Sequence, residues 1–174
     1  FEGATIELLN LPVERFKATD ILERSIKEHQ PDIIILLGEA RSRGAITPER
    51  VAINVDDFRI PDNGGHQPRE ETVVEGAPPA YFSTLPIVAI TNALGEAEIP
   101  SSISNTAGTY LCNRVFYFVM HLLGEMQSPT RAGFIHLPLL EEHRPEGEQN
   151  WICLPRDTVV QGVGLAIKAC ISQS

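Results

Sequence analysis

The sequence predicts an α/β fold: one domain built on an open, twisted, largely parallel sheet with helices on both faces. Three observations predict it. Short β-branched apolar runs alternate with segments whose apolar residues recur at helical spacing. The run Asp32–Gly38 has no polar face, as expected of a parallel strand covered on both sides. Strand and helix patterns follow one another through 174 residues with no internal repeat and no interdomain linker. At roughly 100–200 residues per domain, this length is one domain, spanning 1–174. A chain of this size buries a core without a disulfide or metal staple.

Taken in order, Ile6-Glu7-Leu8-Leu9-Asn10-Leu11 reads as a strand closed by Pro12. A helix is expected from about Ala18 to Gln30, with Ala18, Leu22 and Ile26 on its buried face. Asp20 and Glu23 resemble a capping box, and Pro31 stops the helix. The apolar strand to Gly38 follows at once. Val51–Val55 alternates with period two, as a half-exposed strand does, and Asp62-Asn63-Gly64-Gly65 signals a turn.

A second helix is expected from Ser83 or Thr84 to Leu94, with Pro86 in its first turn and Ile87, Ile90 and Leu94 buried. Gly95 suits the position just past its end. Ser101–Asn105 reads as a short strand. A third helix follows Cys112, with Val115, Phe116, Val119, Leu122 and Leu123 apolar, and ends near Gly124. Ala132–Leu137 is a strand closed by Pro138, and Arg144–Asn150 is a surface loop. The last helix runs from Asp157 as N-cap to about Ile171, burying Val160, Val163 and Ile167.

Charge and cysteine content exclude several function classes. Lys and Arg number 14 and Asp and Glu 23, a formal charge of −9. Phosphate attraction needs a basic face, so nucleic acid and anionic membrane are not expected partners. No apolar run approaches the roughly 20 residues of a membrane span. The three cysteines, Cys112, Cys153 and Cys170, do not form a disulfide framework, and a reducing, cytoplasmic compartment is expected. Phe1-Glu2-Gly3 carries no initiator Met and no basic leader region.

In an open α/β sheet the binding crevice lies at the C-terminal ends of the strands. Cys112 ends a small-residue turn and begins a helix, where free N–H groups and the positive dipole end favour a thiolate and an oxyanion. The plainer reading is an inert core cysteine, the usual fate of a free thiol. Cys170 reads as core, and Cys153 has no evident role. His136 stands near the C-terminal end of its strand, placed either as a general base or as a hydrogen-bonded core residue. His29, His66, His121 and His143 read as surface or helix-face residues. A Cys–His pair needs a third group to orient the imidazole. Glu49, Asp56, Asp57 and Asp62 are all candidates, and spacing does not choose among them. Cys-x-x-Cys, His-Glu-x-x-His, a Walker loop, G-x-G-x-x-G after a strand and Gly-x-Ser-x-Gly are all missing, so neither metal nor cofactor is expected.

Three long segments carry a resemblance. They are Ile46–Asp57, continued by Arg59-Ile60-Pro61-Asp62-Asn63; Ile99–Asn113; and Arg131–Pro138, with Ala80–Pro86 as a further phrase. From about Leu9 to the last helix, the sequence resembles the bacterial type I pyroglutamyl peptidases. The resemblance implies a cysteine exopeptidase that removes an N-terminal pyroglutamyl residue from peptides through a thioester. Cys112 would be the nucleophile, His136 the base and then acid, and Glu49 the group orienting the histidine. It implies substrate contacts at Glu39, through its backbone, and at Arg59, Ile60, Tyr110 and Leu111. It also implies a homo-oligomer, a tetramer. Two departures stand out. Gly38-Glu39-Ala40-Arg41-Ser42-Arg43-Gly44 replaces a glycine-rich turn, with Arg41 at a small-residue position. The family's opening strand and Gly-Phe-x-Pro-Phe-Gly-Gly loop are not in the sequence, so the domain is expected to be truncated at its N-terminus. The second expectation is therefore an inactive relative or fragment serving as a binding or assembly scaffold.

Overall fold

The computed structural model describes residues 1, 3–147 and 150–172. Strands β1 (Ile33–Glu39), β2 (Thr47–Pro48) and β5 (Arg131–Leu137) form one sheet in the order β1-β5-β2. β1 runs parallel to β5 and β2 antiparallel to it. β3 (Val51–Ile53) and β4 (Ala80–Phe82) make a separate antiparallel pair. The helices are α1 (Arg15–His29), α2 (Ile87–Glu96), α3 (Leu111–Glu125) and α4 (Arg156–Ile171), with a 3₁₀ turn at Glu141–His143.

The period-two pleat of β1 and β5 divides the interior into two cores. Ile34, Leu36, Ala132 and Phe134 pack with Ala18, Leu22 and Ile26 of α1 and with Val115, Phe116 and Val119 of α3. Ile33, Ile35, Ile135 and Leu137 pack with Ile90 and Leu94 of α2 and with Ala166 and Cys170 of α4. The α/β class and the helices on both faces are as the sequence predicts. The pairing is mixed, because β2 returns antiparallel.

Several elements depart from expectation. Ile6–Leu11 forms no strand: with no partner for its alternation, Ile6, Leu8 and Leu9 stay exposed. α1 begins earlier, at Arg15 after Glu14, so Asp20 and Glu23 lie within it and cap nothing. It does end before Pro31, with Gln30 left-handed at φ 44° and its N–H donating to Ile26 O. β1 sits at the end of the sheet order, and Leu37 is half exposed rather than covered on both sides. The Val51–Val55 strand is shorter and closes at Ile53. Pro86 is the N-cap of α2, and Gly95 lies inside that helix rather than past it. Ser101–Asn105 contributes only isolated parallel bridges, Ile46 with Ser101 and Glu49 with Ser104. In α4 the N-cap is Pro155, and Asp157 falls in the first turn. Its buried stripe is Val159, Gly162, Ala166 and Cys170, while Val160 is exposed. The loop from Arg144 is exposed where described, and positions 148 and 149 lie outside the described residues. Among the described residues, no helix is long and apolar enough to cross a membrane.

Candidate active site

The pleat that builds the first core also points residues at its C-terminal end toward α3. Gly38 and His136 follow Leu36 and Phe134 on the same face, and the two are register partners across β1 and β5. Cys112 lies in the first turn of α3, above them. A Cβ on Gly38 would stand 3.2 Å from the Cys112 sulfur and 2.7 Å from Phe134 Cζ, so only glycine leaves room there for the thiol. His136 is buried, and its ring lies tilted against Phe134 at 4.7 Å between centroids.

Glu49 closes the arrangement. It follows β2, donates its N–H to Phe134 O and bridges to Ser104, which places it between β5 and the turn leading to Cys112. Its side chain is fully buried, and its Oε1 lies 2.6 Å from His136 Nδ1. That contact assigns Nδ1 to the carboxylate and leaves Nε2 free for another partner. Of the four carboxylates the sequence offered, Glu49 alone meets the histidine. Asp56 pairs with Arg15 and Arg114, and Asp57 with Arg69. The Asp62 carboxylate accepts N–H groups from Arg15, Gly64 and His66. Burial raises the Asp62 carboxyl, but these backbone donors and nearby His66 together hold it below its ordinary value.

The start of α3 is anchored by a residue that sequence reading passes over. Asn113 accepts the Ile53 N–H on Oδ1 and donates through Nδ2 to Ile53 O and Val55 O. No side chain caps the helix at Tyr110, so the first-turn N–H groups beside Cys112 are free of side-chain acceptors. The expectation of an acidified thiol nevertheless fails. Burial first and the nearby Glu49 charge second push the Cys112 thiol up to about 11. Arg43 and the backbone N–H of Cys112 pull the other way and are outweighed. The helix-end effect is present, but desolvation is larger.

The remaining predicted contacts spread around this centre. Glu39 ends β1 with its side chain turned to Arg41 at 3.0 Å, while the neighbouring Ala40 N–H bonds Leu137 O. Arg41 therefore points outward, 67% exposed. Tyr110 donates to Pro61 O and rests on Phe58 at 4.6 Å; Leu111 is buried beside it. Arg59 and Ile60 are exposed, and Arg59, Asp62 and Cys112 all influence the Tyr110 hydroxyl, whose proton is held more tightly chiefly by burial. Cys170 is buried in the second core, and Cys153 is half buried.

A sequence model of the family described as pyroglutamyl peptidase matches residues 1–173. The chain belongs to the pyroglutamyl peptidase family. It is 50% identical over 170 residues to a pyrrolidone-carboxylate peptidase of Vibrio campbellii, covering 98% of this chain and 78% of that one. Two solved structures superpose closely. The pyroglutamyl peptidase I of Bacillus amyloliquefaciens matches with TM-score 0.88 and 39% identity, over 92% of this chain and 75% of that chain. The pyrrolidone carboxyl peptidase of Thermococcus litoralis matches with TM-score 0.90 and 40% identity, over 93% and 76%. As a pyroglutamyl peptidase family member the chain is a hydrolase of the peptidase class.

Proposed function

We propose that this pyroglutamyl peptidase family member is a cysteine exopeptidase acting on peptides with an N-terminal pyroglutamyl residue, with Cys112, His136 and Glu49 as its catalytic residues. The observation that carries the reading is the buried His136–Glu49 hydrogen bond beside a cysteine seated over Gly38. A thiol held near 11 is protonated at rest, so attack is coupled to proton removal. His136 Nε2 takes the Sγ proton as the sulfur–carbon bond forms at the pyroglutamyl carbonyl. The oxyanion is held by the uncapped N–H groups of the α3 first turn. The amide C–N bond then breaks, and the same imidazolium protonates the leaving amine. Water, losing its proton to His136, cleaves the thioester and frees pyroglutamate and the thiol. Glu49 keeps Nδ1 in place and stabilises the imidazolium through both stages.

The substrate end is a neutral lactam, which suits an apolar slot with few polar contacts. Tyr110, Leu111 and Ile60 supply apolar surface, with Arg59 and the Glu39 backbone at its edge. We assign the family's homo-oligomeric, tetrameric state to this chain as well, checked by light scattering.

Pyroglutamyl-p-nitroanilide hydrolysis tests the activity. Release of p-nitroaniline is expected from the chain, and Cys112→Ala is expected to lose at least about 10⁴-fold in kcat while keeping its thermal midpoint. No release from a folded sample supports the scaffold reading instead.

A further inference from the structure

The loop between β1 and β2 carries two arginines, and only one turns inward. Arg43 Nη1 lies 2.5 Å from Glu49 Oε1 and 2.6 Å from Thr47 Oγ1. Its Nη2 donates to Thr106 O at 2.8 Å. One guanidinium thus ties together the strand leading to Glu49, the carboxylate itself and the turn that runs into Cys112. Its planar fork meets three acceptors in fixed directions, which an ammonium does not reproduce.

Glu49 has particular need of this partner. It is fully buried, its Oε2 has no hydrogen-bond partner among the described residues, and Oε1 takes both His136 Nδ1 and Arg43 Nη1. A buried carboxylate without a counter-charge is strongly disfavoured. The Cys112 thiol feels both groups. Facing it are Glu49 after β2, Arg43 from the β1–β2 loop, His136 on β5 beside Gly38 and Tyr110 from the preceding turn. Glu49 opposes ionisation of the sulfur, and Arg43 favours it.

We propose that Arg43 is a positioning residue of the peptidase, fixing the Glu49 carboxylate against His136 and countering its charge at the Cys112 sulfur. The inference rests on the catalytic reading given above. In that reading the reacting site holds a developing thiolate and imidazolium beside Glu49, and the Arg43 cation brings the formal sum to zero. Arg43 acts through protein acceptors: Nη1 meets Thr47 Oγ1 and Glu49 Oε1, and Nη2 meets Thr106 O.

The test compares Arg43→Gln and Arg43→Lys with the unaltered chain in three measurements. They are kcat and KM on pyroglutamyl-p-nitroanilide, the iodoacetamide rate at Cys112 across pH 6–10 by peptide mapping, and the thermal midpoint. For Arg43→Gln the alkylation rate is expected to fall about tenfold at fixed pH, as its rise moves about one unit upward. kcat is expected to fall with KM nearly unchanged. Arg43→Lys keeps the charge but loses the fork, so its alkylation stays within about twofold of the unaltered chain while kcat drops at least about fivefold. A purely structural role lowers the thermal midpoint without moving the alkylation profile, and that outcome overturns the proposal. So does a folded Arg43→Gln with unchanged kcat. Where Arg43→Gln does not fold, an unaltered kcat in Arg43→Lys overturns it. Activity surviving in Cys112→Ala removes the catalytic reading itself; an inactive Cys112→Ala beside a fully active Arg43→Gln removes this inference alone.

Discussion

The two faces of the β1–β5 sheet are built from the same kinds of residue and carry different loads. Toward α2 and α4, Ile33, Ile35, Ile135 and Leu137 meet Ile90, Leu94, Ala166 and Cys170 in a mainly apolar contact, with Arg131 Nη2 donating to Cys170 O. Toward α1 and α3, the pleat begins in the same way with Ile34, Leu36, Ala132 and Phe134. It then ends at Gly38 and His136, where Glu49, Arg43 and the first turn of α3 close in. A strand carries its chemistry on one parity only, so one face is free to be a support. The second core backs the sheet, and at the end of the first a thiol, an imidazole and a carboxylate come together.

The sharpest way to break this comparison is at Glu49. Glu49→Gln is expected to lower kcat by about 10²–10⁴-fold, by analogy with loss of the orienting carboxylate in serine-hydrolase triads. The same change removes the negative charge that raises the Cys112 thiol, so iodoacetamide is expected to label Cys112 faster than in the unaltered chain. Turnover and alkylation moving in opposite directions would separate the two roles of the carboxylate. Equal activity would take Glu49 out of the catalytic set.

Paired glycine substitutions contrast the faces directly. Gly38→Ala brings a methyl to 2.7 Å from Phe134 Cζ and 3.2 Å from the Cys112 sulfur. It is expected to cut kcat by about 10²-fold, since small displacements at the proposed reacting centre are costly. Gly162→Ala, on α4, brings a methyl to 2.3 Å from Ile46 Cδ1 and 3.2 Å from Leu94 Cδ2. Overpacking there is expected to cost about 1–3 kcal/mol in denaturant titration while the folded fraction keeps its kcat. If Gly162→Ala alters kcat as much as Gly38→Ala, the division between supporting and reacting faces is wrong.

The smallest expected effect concerns acid stability. The Asp62 carboxyl is lower in the folded chain than its ordinary value, so the native state binds fewer protons there than the unfolded chain. Its contribution is therefore present at neutral pH and above the unfolded value, and is lost as pH falls through the folded one. Asp62→Asn is expected to flatten the dependence of unfolding free energy on pH below about 4, with little change in kcat. A slope identical to that of the unaltered chain would remove this contribution.

How much of this was legible in the sequence depends on how local its cause is. α3 and β5 carry strong periodicity and stand nearly where expected. The stripe of α4 lies one position from the expected one because Val159 and Val160 are the same residue type, and only tertiary burial distinguishes them. Ile6–Leu11 has a strand's pattern, yet a strand exists only if something pairs with it. At the site, Cys112 and His136 were marked by their positions at element ends. Spacing leaves Glu49 one carboxylate among four and only the family resemblance singles it out; the fold brings it to His136 across 87 residues. The thiol shift runs opposite to the helix-position expectation for the same reason: helix position is local, whereas burial and the Glu49 charge are not. Arg41 occupies a small-residue position yet points outward, while Arg43, two residues on, is the one that turns inward.

The raised Cys112 thiol has a consequence outside turnover. Peroxide oxidises thiolates, and the first step toward sulfenic acid is slow for a protonated sulfur. With its thiol held near 11, the resting protein exposes almost no thiolate at neutral pH. In the proposed mechanism, the same burial that makes attack wait for proton transfer also shelters the sulfur from oxidative loss.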